Sequence, residues 1–316
     1  MMDATVFLQI AWSSVTGASF YVLVAVAFAL YLKVTTYWNF AQAAQIGIAF
    51  YVLYALVRVL GWPDWAALAA TFVVVATFGL ALEVWGFRVL RRRNSPHLTY
   101  FIFTFMVAQF VGFLLMLLGG TEPRSLVASL FMPGSLVAGV SITSWDIEAI
   151  AATLLILTGI AFLLTRTAAG ERILAVSDNR QLAELYGISV ERIYLLTSIV
   201  CALPLVVAVW LFGTRTTFLP TTGLDLLLIA TVASILGGVG SVIGAAVAAL
   251  AISLMRGFSI FVVPSIWENA LVYFALVLAV VFLPRGFGGL WNSVLARRRA
   301  SRMSQAASST RPVKVA

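Results

Sequence analysis

An all-α polytopic membrane protein is the fold class this sequence predicts, with about seven to nine transmembrane helices, some broken or re-entrant. Three observations predict it. Of 316 residues, 62% are hydrophobic and 10% charged, against about 25% charged in soluble domains. Charge-free apolar runs recur, such as 98–118 and 193–212, and roughly 20 helical residues cross a hydrocarbon core of roughly 30 Å. The runs lack two-residue alternation, which excludes barrel strands. Helices are then the remaining way to satisfy a backbone in lipid.

The elements follow in order. A first span is expected at about 6–32; no basic region and small-residue cleavage site precede it, so it reads as a span and not as a signal peptide. The next apolar segment, 36–60, opens on WNFAQAAQIG, with the amides Asn39, Gln42 and Gln45 at three-residue spacing. Further spans are expected at 66–89 and 98–118. A polar connection containing Gly and Pro covers 119–145, and a fifth span 147–165. The charged loop 166–192 follows, then a span at 193–212 with Pro204 as an expected kink. Residues 223–258 carry a glycine-rich stretch at their centre and read either as two spans or as a re-entrant hairpin. A last span is expected at 267–283, closed by Pro284, Arg285 and Gly286. The division expected is a transmembrane domain over 1–290 and a basic, disordered tail over 291–316.

The net charge of +8 does not point to nucleic acid, because the basic residues flank spans. With Lys33, the Arg91 cluster, the 166–192 loop and the C-terminal tail on one side, sixteen of the 20 basic residues share it. Only Arg58, Arg124, Arg215 and Arg256 fall opposite. Basic flanks mark the cytoplasmic side, so the N-terminus is expected outside and the C-terminus inside. Cys201 is the only cysteine and lies in an apolar run, where an inert buried thiol is expected.

Three segments carry functional expectations. In the charged loop, Asp178 is expected to cap a short helix that puts Leu182, Leu185 and Tyr186 on one face. Gly187 suits the residue after its end, and Ser189 can cap the next span. Such a helix either lies on the membrane or docks in a cytoplasmic motor, and the loop's four basic and four acidic residues favour the motor over an anionic surface. Asn39, Gln42 and Gln45, expected on neighbouring faces of one helix, either line a pathway or bond helices together. Gly237, Gly238 and Gly240 either allow close packing, with Gly240, Gly244 and Ala248 as a small-residue stripe, or open a break towards a substrate.

Catalytic and metal-binding groups are not expected: the chain shows no His, Cys and carboxylate cluster, and its one histidine, His97, reads as interfacial. No cofactor is expected. Glu83, Glu148 and Glu268 fall near expected span ends, where exposure costs little. An ion-coupled carrier would place an acid deeper, which disfavours that alternative. A membrane-embedded enzyme lacks side chains to support it.

At these segments the chain resembles the permease subunits of bacterial ABC importers for branched-chain amino acids and related small solutes. The family's Asn-Phe-Ala-His-Gly run reads WNFAQAAQ here. Its loop pattern matches Glu171 to Val176 and Leu185 to Arg192, its Leu-Gly-Gly-x-Gly-Ser-x-x-Gly-Ala stretch matches Leu236 to Ala245, and its Pro-x-Gly end matches Pro284 to Gly286. The similarity runs in order over about 6–290. It implies an inner-membrane permease with two cytoplasmic ATP-binding subunits, a second identical or homologous permease and a periplasmic or extracellular solute-binding protein. It also implies ATPase docking at residues 175–187. The departure is at Gln42, Ala43 and Ala44, where relatives carry His, Gly and often Glu; the family also includes urea and short-amide importers.

Overall fold

A long, thoroughly apolar helix at the centre of a bundle organises the chain. The computed structural model describes residues 4–127, 134–137 and 139–259, together with 261, 264, 267, 270–274 and 277. Helix α1 (Ala4–Thr35) is buried over most of its second half, because it is apolar on every side and other helices surround it. Then come α2 (Gln42–Tyr54), α3 (Asp64–Ala81), α4 (Arg88–Arg92), α5 (His97–Gly119), the strands β1 (Gly134–Val137) and β2 (Val140–Thr143), and α6 (Ser144–Arg166). Two short helices, α7 (Ala168–Asp178) and α8 (Arg180–Leu185), precede α9 (Val190–Arg215), α10 (Thr222–Gly237) and α11 (Val242–Ser259). Wide π-turns extend α2 over Ala55–Val59 and join α3 to α4 over Leu82–Phe87.

Among the described residues, seven helical stretches are long and apolar enough to cross a membrane. They fall where the apolar runs place them. Their outer faces are apolar as well: Phe110, Phe113 and Leu118 of α5 and Leu155 and Phe162 of α6 are exposed, a surface that lipid accommodates and water would not. The expected 119–145 connection holds an antiparallel hairpin in the register Gly134↔Thr143 to Val137↔Val140. A capping box of Thr143 and Asp146 starts α6.

Contacts sort the loops to two ends. At one, Gln9 bonds the Ser141 backbone at both its carbonyl and its N–H, Trp145 Nε1 donates to Thr214, and Arg124 bridges Phe218. At the other lie Lys33, the Gly238–Ser241 turn and Leu174. Helix α11 runs antiparallel to α1 between these ends. The turn at Gly240 just before it adjoins Lys33, while Phe258 packs against Phe7 with ring centroids 4.8 Å apart. Gly244, Ala245, Ala248, Ala249 and Ser253 are buried in α11, a small-residue face that lets backbones approach; Ser253 donates to the Ser14 carbonyl at 2.7 Å. Within 223–258, α11 is long and apolar enough to cross a membrane, whereas α10 is a shorter apolar helix of 16 residues.

Pro204 sits inside α9 without ending it, and Cys201 is buried. Glu148 is exposed, but Glu83 is not: it is 1% exposed and pairs with Arg91 at 2.6 Å. Span-end position misled here because the helix continues to Arg92. Most of the expected last span, its Pro284–Gly286 end, Glu268 and the 291–316 tail lie outside the described residues.

Candidate functional site

The segment expected to open a helix at 36 does not. Thr36 takes a left-handed conformation (φ 65°) that stops α1, and α2 begins only at Gln42. Between them Asn39 Oδ1 accepts from the Ala41 N–H at 3.1 Å, a local bond that competes with helix. Asn39 is thus a buried turn residue and does not share a helical face with the two glutamines. Gln45 faces α3 and α9: a Cβ on Gly79 would lie 2.6 Å from both its amide nitrogen and the Ser198 hydroxyl. Gln42 is 1% exposed, and neither atom of its amide has a hydrogen-bond partner among the described residues.

Ala43 and Ala44, beside it, line a cavity of about 310 Å³ with Gly47, Gln109, Thr221 and Leu224. It lies between α2, α5, the start of α10 at Leu224 and, from the non-helical stretch 216–221 that leads into α10, Pro220 and Thr221. Several backbone atoms of that stretch bond to protein. Phe218 and Arg124 exchange backbone bonds of 2.7 and 3.0 Å, and Leu219 N–H donates to Thr222 Oγ1. The Phe218 ring stacks on Phe50 at 4.2 Å and fixes the stretch against α2. Gln109 was overlooked in the sequence, although it is the one amide in the charge-free run 98–118.

The glycine segment lies at the other end of α10. Sixteen helical residues rise about 24 Å, so the structure does not bring Gly237, Gly238 and Gly240 to Gln42. Gly237 packs backbone to backbone against Gly244, and Gly238 and Gly240 turn the chain with φ of 97° and 84°. The expected stripe is corrected at its first member. Gly240 is in the turn, not on α11, and Gly237 from α10 faces Gly244 in its place. Gly238 and Gly240 also border a groove of about 870 Å³ with Lys33, Thr158 and Leu164.

The charged loop forms two helices where one was expected. Thr167 caps α7, which buries Ile173 and Val176. Asp178 ends α7, and Asn179, not Asp178, caps α8 by accepting from Leu182 N–H. The difference is one residue: the side chain that reaches the third N–H of α8 belongs to Asn179. Leu182, Leu185 and Tyr186 stand exposed, Leu185 and Tyr186 at 85% and 80%. Gly187 closes the helix at φ 79°. Ser189 occupies the cap position of α9 without a side-chain cap bond.

Comparison with known proteins joins these features. The family model described as the permease component of branched-chain amino acid transport systems matches residues 10–281. The high-affinity branched-chain amino acid transport system permease protein BraD of Pseudomonas aeruginosa is 25% identical over 298 residues, covering 90% of this chain and 96% of that protein. LivH of Escherichia coli, a permease of the same description, is 26% identical with the same coverage. The xylose transport system permease protein XylH of Escherichia coli is 38% identical over 136 residues, 40% of this chain and 34% of that one. No solved structure matches. This polytopic helical bundle, matched over most of its length by the family model, belongs to the family of permease components of branched-chain amino acid transport systems.

Proposed function

We propose that this permease carries a small polar solute, a branched-chain amino acid or a related amino acid or amide, past the entry to α2, and that separate ATP-binding subunits drive it. The observation that carries the reading is Gln42. A buried amide without a partner costs about 1–3 kcal/mol, and the next residues in the chain, Ala43 and Ala44, line a cavity of about 310 Å³ with Gly47. That volume is at the small end of ligand pockets. Asn39 shapes the turn that precedes the buried first residues of α2, and Gln45 packs α2 against α3 and α9. Gly237, Gly238 and Gly240 hold the α10–α11 turn, on which the pathway's other end can pivot.

In this reading the chain has no catalytic site, and ATP hydrolysis belongs to its partners. Two ATP-binding subunits dock on the exposed α8 face of Leu182, Leu185 and Tyr186, with Gly187 ending it. The core is a pair of permeases, and a solute-binding protein delivers from the β-hairpin end. The distribution of basic residues supports an inner-membrane protein with α7 and α8 cytoplasmic and the N-terminus outside. The segments 1–290 and 291–316 then divide into permease domain and cytoplasmic tail.

The test is uptake by proteoliposomes holding the chain with its co-purified permease and ATP-binding subunits and supplied with its solute-binding protein, using leucine, urea, acetamide and xylose as probes. ATP-dependent leucine or amide uptake is expected. Uptake driven by an ion gradient without nucleotide would establish the secondary-transporter alternative. ATP-dependent uptake of xylose alone would move the solute to the sugars, the class named for the XylH relative.

A further inference from the structure

A charged pair is buried near the Lys33 end of the bundle, between the break before α2 and a ring of α9 that α8 also contacts. Glu83 and Arg91 are eight residues apart, which in an α-helix leaves them about 80° out of line. The wide π-turn Leu82–Phe87 takes up much of that offset, and Arg91 Nη2 reaches Glu83 Oε1 at 2.6 Å. Tyr31 of α1 donates to the other carboxylate oxygen at 3.0 Å. Arg91 Nη1 donates to the Tyr37 hydroxyl at 3.2 Å. Tyr37 lies one residue past the left-handed Thr36, and its ring stacks on Tyr100 at 4.6 Å.

The opposite side of the pair leads to the charged loop. The Arg91 guanidinium lies 4.7 Å from the centroid of the Tyr194 ring on α9, and Arg180, the first residue of α8, lies 5.9 Å from the same centroid. Tyr194 is 2% exposed, so both cations contact a ring held in place by packing. Cation–ring contacts within about 6 Å are attractive, more so when desolvated.

Such a pair is an expensive way to join helices. Burying two charges costs several kcal/mol each before their attraction is counted, and well-packed apolar residues often do as well. What apolar residues cannot do is hold one orientation at three contacts at once. The Arg91 guanidinium does so, through a carboxylate, a phenol and a ring face.

We infer that Arg91, fixed by Glu83, is a positioning residue for transport: it links movement of α8, through Tyr194, to Tyr37 and the turn that presents Gln42. This inference rests on the permease reading above. When α8 is displaced by a partner, Arg180 and Tyr194 shift with it, and Arg91 carries the shift to Tyr37. The 36–41 turn has no helical hydrogen-bond ladder to resist the change.

The experiment reads the cavity from the ATPase side. Ala43→Cys is placed in the cavity in a Cys201→Ala background, and the chain is purified with its ATP-binding subunits. Maleimide labelling is measured with and without ATP and vanadate. In this protein the nucleotide is expected to change the labelling rate about fivefold or more, within the usual range of site-to-site coupling. Tyr194→Leu is expected to abolish that change while assembly and basal ATP hydrolysis persist. Tyr194→Phe, which keeps the ring, should restore it, and Tyr37→Phe, which removes only the hydroxyl, should reduce it. A nucleotide response that survives both Tyr194→Leu and Tyr37→Phe overturns the inference. A response lost only in proportion to lost assembly also overturns it, since the role would then be structural. If no ATP-binding subunit co-purifies with the unaltered chain, the permease reading itself fails, which is a distinct result.

Discussion

Gly237 and Gly244 meet backbone to backbone where α10 turns into α11, so that a Cβ on either would fall within the peptide of the other. The contact sets how closely the two helices cross, and it is the reason neither position tolerates a side chain. Gly237→Ala should therefore lower thermal stability in detergent, with overpacking of about 1–3 kcal/mol outweighing the roughly 1 kcal/mol by which Ala favours a helix over Gly. Gly159→Ala is the control. A Cβ there meets nothing within 4 Å, and this variant should match or exceed the unaltered protein. Equal melting temperatures for both variants would refute the close-contact account.

Leu185 is exposed and makes no packing contribution to α8. Leu185→Asp should change stability by less than about 0.5 kcal/mol and leave expression intact. It should sharply reduce solute-stimulated ATP hydrolysis in the reconstituted complex. Normal stimulation in the variant would exclude α8 as the docking face.

Gln42 has no bonding partner within the described chain, so Gln42→Ala should leave assembly and melting temperature unchanged or improved. Selectivity is where the loss should appear. Both Gln42→Ala and Gln42→His should alter the ranking of leucine, urea and short amides in uptake assays. An unaltered ranking with full assembly would remove Gln42 from the pathway. Gln45→Ala, at the crowded Gly79 and Ser198 junction, should instead lower stability.

Glu122 and Glu184 are both exposed and lie at opposite ends of the bundle. In a Cys201→Ala background, Glu184→Cys should react with an impermeant maleimide only when the cytoplasmic face is accessible, and Glu122→Cys only from outside. The reverse pattern would invert the orientation drawn from the basic residues.

Much of the scaffold was legible from the chain. The span expected at 98–118 is α5 at His97–Gly119, and that at 147–165 is α6 at Ser144–Arg166. Leu182, Leu185 and Tyr186 were recognisable as an outward face, and Gly187 as the end of that helix. The start of α2 was not. An apolar run through 36–60 looks continuous, yet Thr36 and Asn39 stop the helix with two local conformational choices. Nor was the cap legible: Asp178 and Asn179 are both good capping residues, and only their backbone positions separate them.

Burial in lipid is close to additive along the chain, each residue contributing its own transfer free energy. The sequence alone therefore determined the number and placement of most spans, the exposed loop between them and the family to which they belong. Pairings between helices depend on which faces meet, and no local sum contains that. Gly237 rather than Gly240 opposite Gly244, Glu83 drawn inside onto Arg91 by a π-turn, and a cavity assembled from α2, α5, Pro220, Thr221 and Leu224 were decided only by tertiary structure. The reason is steric and electrostatic: close backbone approach and buried charge are stable only where a specific, sequence-distant neighbour completes them.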